Sequence, residues 1–315
     1  MRSATFRIWR GDARGGKFHD YATSVADGMV LLDAVCQIQA EQANDLAVRW
    51  NCKAGRCGSC SAEINGYPRL MCMTRLSALP LDRPVMVEPM RSFPLIKDLV
   101  SDVSWNFEVK KRITPFQARP PDARDGAWRM GQRDVNRVQE FRKCIECFLC
   151  QDVCHVLREH RQFDAFAGPR FFVHIAALEM HPLDTGSRVE ELRKAHGVGY
   201  CNITTCCRKV CPEGITITEN AIIPLKERVV DEYYDPLRSL FCFLTRRADG
   251  KAARGGPDDI GIETAIQGSD PGGARQGGAL PLAEGTMAGG EHMPGRAADR
   301  PGQPDSARHP APRAD

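Results

Sequence analysis

The stretch that decides the fold is NCKAGRCGSC, residues 51–60, which carries three cysteines on one short loop. They are spaced C-x4-C-x2-C, and a fourth cysteine follows after the next short segment, which is the pattern of plant-type 2Fe–2S sites. Three thiolates on one loop reach two irons only if the backbone wraps around the inorganic sulfides, and the small residues between them permit that approach. The predicted ligands of this 2Fe–2S cluster are Cys52, Cys57, Cys60 and Cys72.

Two other uses of the cysteines explain the pattern less well. Four thiolates also suit tetrahedral zinc, but structural zinc sites favour paired C-x2-C units, which this loop lacks. Disulfides suit a short secreted chain, whereas the fourteen cysteines here are clustered at the spacing of metal ligands. The first residues, MRSATFRIWR, alternate like a strand and show no apolar signal-peptide core. We therefore expect a reducing compartment, in which thiolates are available to iron.

The sequence around this loop predicts a small β-rich domain over residues 1–105. Strand-like alternation occurs at FRIWR (6–10) and HDYATSV (19–25), and VLLDAVCQIQ (30–39) has the apolar spacing of a helix. After the loop, SAEI and YPRLMCM flank an Asn-Gly pair, which indicates a hairpin with a type I′ turn. Strands, a helix and a hairpin around a cysteine loop are typical of a β-grasp ferredoxin domain.

The rest of the chain divides into three parts. The run TPFQARPPDARDGA is rich in proline and polar residues, and we place a linker at residues 106–127. Residues 128–247 predict an α-helical domain, with helical patterns in DVNRVQEFRKCIECFLC, FVHIAALEM, RVEELRKAH and NAIIPLKERVVDEY. Residues 248–315 hold half of the 28 glycines and no aromatic residue, which predicts a disordered tail. The predicted fold class is α+β, with a β-grasp 2Fe–2S domain followed by an α-helical bacterial-type ferredoxin domain.

Two further cysteine runs predict a second cluster. KCIECFLCQDVC, residues 143–154, has the spacing C-x2-C-x2-C-x3-C, and in two-cluster bacterial ferredoxins the fourth cysteine of such a run ligates the other cluster. CNITTCCRKVCP, residues 201–212, repeats the outer spacing and ends with the proline that usually follows the fourth cysteine. By the same rule Cys211 crosses over to the first run. The predicted 4Fe–4S ligands are Cys144, Cys147, Cys150 and Cys211.

The reverse crossing predicts a smaller cluster. Cys154 leaves its own run and joins Cys201 and Cys207. The middle position of this set, a cysteine in the first run, is Thr204, and a threonine hydroxyl is a poor iron ligand. One corner of the cubane is then left without a ligand. We therefore predict a 3Fe–4S cluster held by Cys154, Cys201 and Cys207, with iron as the metal in all three centres.

Three cysteines remain outside these sets. Cys206 is one residue out of phase with the ligand spacing, and a small thiol packed beside the cluster is favoured there over a ligand. Cys36, on the predicted helix, and Cys242, near the tail, are likewise interpreted as packing cysteines.

At these residues the chain resembles the iron–sulfur subunit of succinate dehydrogenase or fumarate reductase. The resemblance extends from Thr5 to about Arg247 and rests on WNCKAGRCGSCSAEINGYPRLMC, FRKCIECFLCQDVCH and YCNITTCCRKVCPEGITIT. It implies the same eleven cysteine ligands, position by position. It also implies a partner flavoprotein that oxidises succinate with FAD, and a membrane anchor that binds quinone. The sequence around the first cluster is similar to that of menaquinone-linked bacterial enzymes.

The function implied by this resemblance is electron transfer. Electrons would pass one at a time from FAD through the 2Fe–2S, 4Fe–4S and 3Fe–4S clusters to quinone, with the subunit held on the cytoplasmic face of the membrane by its anchor. Family members with a ubiquinone pocket often carry Pro, Ser and Trp after the cysteine equivalent to Cys154, and His after that equivalent to Cys201. Here those places read His155-Val156-Leu157 and Asn202, so no quinone contact is assigned.

The composition of the chain and the motifs that it lacks argue against several other classes of function. The net charge is +3, from 43 basic and 40 acidic residues, which argues against nucleic acid as a partner. No apolar run approaches the ~20 residues of a membrane-spanning helix, so we expect membrane association through another protein. No catalytic residue is predicted, because the chain has no G-x-G-x-x-G or P-loop motif and no paired-carboxylate site. The alternatives are the same role in a fumarate reductase running in reverse, or a soluble ferredoxin-type carrier.

Overall fold

The computed structural model describes residues 2–122 and 126–235, which fall within one compact unit. The predicted tail and Cys242 lie outside the described residues. In the part of the chain that is described, no helix is both long and apolar enough to cross a membrane.

The N-terminal half is built on a mixed seven-stranded sheet. The strands are β1 (Arg2–Asp12), β2 (Gly15–Val25), β3 (Ser61–Ile64), β4 (Tyr67–Leu70), β5 (Val85–Glu88), β6 (Leu95–Lys97) and β7 (Val100–Ser101). The order is β4-β3-β5-β1-β6-β7, and β2 pairs antiparallel with β1 along its whole length. Only the β1–β5 pair is parallel among the described strands. All four residues of β3 are buried, so the strand that follows the first cysteine loop is fixed in the core.

One helix packs on this sheet and eight more follow among the described residues. They are α1 (Leu31–Glu41), α2 (Ser104–Arg112), α3 (Gln132–Gln139), α4 (Leu149–Asp152), α5 (His155–Arg158), α6 (Pro169–Glu179), α7 (Val189–Lys194), α8 (Cys206–Lys209) and α9 (Ile223–Tyr233). A π-helix, Ile217–Ile222, leads directly into α9. The apolar spacing of α1 buries Leu31, Val35 and Ile38 against the sheet, as the sequence predicts.

The hairpin predicted after the cysteine loop is present between β3 and β4. Its two turn residues, Asn65 and Gly66, have φ angles of 51° and 75°. Positive φ at both central residues is the requirement of a type I′ turn, and the right-handed twist of the strands favours that turn. The predicted α+β class and the N-terminal sheet domain are confirmed.

The helical pattern predicted across residues 134–150 is correct only in its first part. α3 and a short 3-10 turn, Glu140–Lys143, end just before the cysteines. Glu146 and Phe148 then have positive φ angles, which no helix accommodates. The cysteines at every third position resemble a helical stripe in sequence, but Cys144 and Cys147 lie in a loop that borders a recess, and Cys150 lies in the short helix α4. The segment predicted as a linker from residue 106 begins inside α2.

A fully buried arginine ties the segment after α2 to the C-terminal half. Arg188 donates from Nε to the Thr114 carbonyl at 2.7 Å and from Nη2 to the Pro115 carbonyl at 2.8 Å. Nη2 also lies 2.9 Å from the Asp184 carboxylate, whose side chain is almost completely buried. Glu179, at the end of α6, lies 3.7 Å from Nη1. Every charge in this group has its partner inside the protein.

We expect Arg188→Met to be among the most destabilising single changes outside the cysteine loops. It leaves two buried carboxylates without their cation, a situation that costs about 3–5 kcal/mol. Lys194→Met is the matched control, because its 3.0 Å pair with Glu190 is exposed and contributes about 0–1 kcal/mol. Thermal unfolding of the intact protein measures both, and equal midpoints for the two variants would contradict this account of Arg188.

Candidate iron–sulfur centres

The first cysteine loop runs from α1 to β3 and bends back on itself. Its left-handed residues, with φ between 55° and 68°, are Lys53, Gly55 and Gly58. These bends turn amide groups inward, so that the Ala54 and Arg56 nitrogens lie 3.4 and 3.2 Å from Cys52 Sγ. Amide N–H groups directed at sulfur stabilise negative charge there.

The four thiols associated with this loop interact in two pairs. Burial acts to raise the pKa of Cys57, but hydrogen bonds from Cys52 and Ser59 outweigh it and lower that pKa to about 6. Burial raises the pKa of Cys60 to about 12, and its thiol interacts with that of Cys72. The Cys72 nitrogen lies 3.5 Å from Cys60 Sγ. Two pairs of thiols match the four-cysteine requirement of a two-iron cluster.

In the C-terminal half, cysteines from both later runs border one recess. Its four thiols are those of Cys144, Cys147, Cys150 and Cys211. The recess has an empty volume of about 360 Å³, and most of the other side chains that line it are apolar. Burial raises the pKa of Cys147 to about 12 and that of Cys150 well above its usual value. Such thiols keep their protons at neutral pH until a metal ion displaces them.

A second recess, with an empty volume of about 290 Å³, is bordered by four cysteines and three threonines. They are Cys154, Cys201, Cys206, Cys207, Thr204, Thr205 and Thr218. Three of these cysteines are the predicted 3Fe–4S ligands, brought together from both runs. Cys206, predicted to pack beside the cluster, also borders the recess. Thr218, which no sequence pattern indicated, lies with its Oγ1 3.7 Å from Cys207 Sγ.

The two runs share one backbone conformation. Glu146 and Phe148, two and four residues after the first cysteine of their run, have φ angles of 55° and 61°. Ile203 and Thr205, at the same offsets in the second run, have φ angles of 60° and 59°. Each pair leads into a four-residue helix, α4 or α8. This repeat places the threonine at position 204 where the first run has a cysteine.

The residues around both recesses fit an iron–sulfur cluster. A left-handed non-glycine residue costs about 1–2 kcal/mol, and here these residues turn amides toward the thiols. Burial raises the pKa of Cys144 and of Cys201, and the backbone amides of Glu146 and Ile203 oppose that rise. Arg170, which lines the first recess, has a buried Nε–H without a hydrogen-bond partner among the described residues. Thiols, inward amides and an unpaired cationic N–H suit an anionic cluster. No three His, Cys, Asp or Glu side chains of residues 2–122 and 126–235 are placed to hold a single metal ion.

The first cysteine loop lies directly against the first recess. Ser61 Oγ donates to the carbonyl of Cys147 at 2.8 Å. A Cβ atom added to Gly58 would lie 2.6 Å from Cys147 Cα, so the two backbones touch where a side chain would intervene. The first cysteine loop is therefore in direct contact with the backbone of the loop that borders the first recess.

A buried group of charged side chains stabilises the same contact between the sheet domain and the first cysteine run. Glu63 on β3 is fully buried, and its carboxylate binds Arg158 of α5 at 2.9 and 3.1 Å. Arg91 approaches the same carboxylate at 3.2 Å. The Ser92 N–H donates to Asp152 of α4 at 2.9 Å. The bonds of Arg158 and Asp152 join the sheet domain to α4 and α5, at the end of the first cysteine run, whereas Arg91 lies in the sheet domain itself.

A β-grasp cysteine loop packed against a duplicated cysteine motif defines an iron–sulfur electron-transfer protein. Family models agree with this class. Residues 5–108 match a 2Fe-2S iron-sulfur cluster binding domain, and residues 140–215 match a 4Fe-4S dicluster domain. The chain therefore contains domains for both kinds of cluster.

Similar proteins narrow the class to a family. The chain is 32% identical over 202 residues to the fumarate reductase iron-sulfur subunit of Mycobacterium tuberculosis, covering 63% of this chain and 80% of the relative. It is 27% identical over 232 residues to the succinate dehydrogenase iron-sulfur subunit of Paracoccus denitrificans, covering 72% and 88%. A solved chain of the Mycobacterium smegmatis Sdh1 complex in the apo form matches with a TM-score of 0.71 and 60% identity, over 74% of this chain and 98% of that one. This chain belongs to the family of succinate dehydrogenase and fumarate reductase iron–sulfur subunits.

Proposed function

We propose that this chain conducts electrons one at a time from the FAD of a flavoprotein subunit of succinate dehydrogenase to a quinone, with menaquinone expected. The route runs through 2Fe–2S, 4Fe–4S and 3Fe–4S centres in that order. The observation that carries the proposal is the pair of recesses, each bordered by cysteines from both runs. Such clusters exchange single electrons, whereas succinate oxidation at a flavin releases two, so the chain divides a pair of electrons into single deliveries.

The ligand assignment follows the thiols that share a loop or a recess. The first centre takes Cys52, Cys57, Cys60 and Cys72; the second takes Cys144, Cys147, Cys150 and Cys211; the third takes Cys154, Cys201 and Cys207. The backbone repeat supports three irons in the third centre, because Thr204 stands where the first run has a cysteine.

The contacts between elements support the proposed order. The backbone contact of Gly58 with Cys147 supports an order in which the first centre is next to the second. Exposed apolar side chains lie close in sequence to ligands of the first and third proposed centres. Trp50 and Met73, beside the first loop, are 43% and 58% exposed and suit a contact with the flavoprotein. Tyr200 and Ile203, which flank Cys201, are both 42% exposed and suit a contact with a membrane anchor on the cytoplasmic face of the membrane.

The same residues serve either direction of electron flow. The Mycobacterium tuberculosis relative is named a fumarate reductase subunit and the Paracoccus relative a succinate dehydrogenase subunit. Direction depends on the quinone and on the relative potentials of the partners.

Purification of the complex from membranes tests the proposal. The tagged chain is expected to bring down a flavoprotein, and added succinate is expected to reduce clusters that are visible by EPR spectroscopy. Fumarate added afterwards is expected to reoxidise them. Recovery of the chain without flavin, with clusters that succinate leaves oxidised, would favour a soluble ferredoxin-type carrier and overturn the proposal.

Thr218 offers a test of the third centre that does not remove a ligand. When Cys207 binds iron as a thiolate, the Thr218 hydroxyl is the donor of their 3.7 Å contact. A hydrogen bond to a cluster sulfur stabilises the reduced form and raises the reduction potential. We expect Thr218→Val to lower the midpoint potential of this centre by about 40 mV, the equivalent of about 1 kcal/mol for a one-electron couple.

Redox-poised EPR spectroscopy of the complex measures this potential. Thr23→Val is the matched control, since it also removes a buried threonine hydroxyl, but from β2 and far from the recess. The control is expected to leave all three potentials unchanged. An unshifted third centre in Thr218→Val would show that its hydroxyl does not reach the cluster.

A further inference from the structure

The second recess offers one thiol more than the proposed three-iron centre uses. Cys206 borders it together with the three proposed ligands. Its counterpart in the first run is Leu149, which is also the first residue of a four-residue helix but is buried in the core. Cys206 therefore borders the recess, at a position where the first run has an apolar side chain.

Cys206 contacts Thr204, the residue that stands where the first run has a ligand cysteine. The hydroxyl of Thr204 donates to Cys206 Sγ at 3.3 Å. Cys206 borders the same recess as the proposed ligands Cys154 and Cys201, and it precedes the third, Cys207, on α8. Cys206 is therefore close to the proposed ligands as well as to the threonine.

We infer that Cys206 is a reserve ligand, which captures a fourth iron at the open corner and converts the 3Fe–4S centre to a 4Fe–4S centre under reducing, iron-rich conditions. The inference rests on the proposed three-iron assignment. The oxidised three-iron core carries a single positive charge, and one electron from a reductant such as dithionite makes it neutral. A ferrous ion then binds and gives a doubly positive four-iron core. The Cys206 thiol releases its proton to water as its sulfur bonds to the new iron.

The capturing thiol already borders the recess. Cys206 is half-buried and lies one residue before the proposed ligand Cys207, on the same short helix α8. The hydrogen bond that its sulfur now accepts comes from a neutral hydroxyl, and a bond from a thiolate to iron is much stronger than that contact. Thr204 and Cys206 together thus make the last centre sensitive to the supply of iron and reductant.

The test treats the purified complex with dithionite and isotopically enriched ferrous iron under anaerobic conditions. EPR spectroscopy of the oxidised samples before treatment shows whether the three-iron centre is present, and Mössbauer spectroscopy afterwards shows where the added iron is bound. In the wild type we expect the three-iron signal to be lost and one enriched iron to enter a four-iron cluster. Cys206→Ala is expected to keep the three-iron signal and take up no iron there.

Two further variants make the result specific. Cys206→Ser retains a weaker oxygen ligand and is expected to take up less iron than the wild type. Cys36→Ala removes a half-buried thiol on α1, away from the recess, and is expected to behave as the wild type. Equal conversion, or equal lack of conversion, in the wild type and Cys206→Ala would overturn the inference while leaving the proposed function intact. Absence of the three-iron signal in the untreated wild type would overturn the three-iron assignment and this inference with it.

Discussion

Replacement of Cys211 by alanine is expected to abolish the 4Fe–4S centre and leave the 2Fe–2S and 3Fe–4S signals in place. Cys211 belongs to the second cysteine run, yet its thiol borders the recess of the first. Mutation of a residue that hydrogen-bonds to a metal ligand typically lowers metal affinity or activity by about 10- to 100-fold. Loss of the ligand itself has a larger effect. Succinate-dependent quinone reduction is therefore expected to fall by more than about 100-fold. EPR spectroscopy of the reduced complex identifies which centre has been lost.

Cys154→Ala is the reciprocal change and is expected to remove only the 3Fe–4S centre. Cys154 lies in the first run but borders the second recess. Cys36→Ala is the control, since this half-buried thiol lies on α1 and all three signals should survive its loss. If Cys211→Ala removed the 3Fe–4S centre instead, the crossing of ligands between the runs would be wrong.

Gly58→Ala is expected to separate the first centre from the second. Two costs add at this position. The left-handed φ of 68° costs an alanine about 1–2 kcal/mol, and a Cβ placed 2.6 Å from Cys147 Cα adds about 1–3 kcal/mol of overpacking. The clash is with backbone, so the loop itself has to move away from the second centre. Slower reduction of the 4Fe–4S centre by succinate, followed by rapid-freeze EPR spectroscopy, is the expected result.

Gly66→Ala is the control, because it carries the backbone cost without the steric clash. Gly66 has a similar φ of 75°, but no atom lies within 4 Å of the added Cβ. This variant should lose stability from the backbone alone and keep the wild-type rate of transfer between centres. Equal transfer rates in both variants would mean that the contact at Gly58 does not set the separation of the two centres.

Local sequence patterns were sufficient to predict much of the fold. The Asn65-Gly66 pair predicts the hairpin because only certain residues tolerate two successive positive φ angles. Cysteine spacing likewise predicts the two cluster domains, because thiolates must converge within a short length of backbone. The helix expected through Cys144–Phe148 was wrong, since ligand spacing and helical periodicity both repeat about every three residues.

Other features depend on contacts between distant segments and have no local signal. Thr218 lies in the segment ITIT, whose alternation resembles a strand, yet the structure places it in a π-helix facing Cys207. Glu63 and Arg158 are an ordinary acid and base in sequence, and only the packing of β3 on α5 buries them together. The spacing also favoured Cys206 as a packing thiol, and its place at the recess is visible only in three dimensions.

The most direct test of the account is combined iron, sulfide and zinc analysis of the intact complex, with Mössbauer and EPR spectra of the same sample. We expect one two-iron, one four-iron and one three-iron centre per chain, and no zinc in any cysteine site. Zinc bound by the cysteines, or fewer than three redox-active centres, would contradict it.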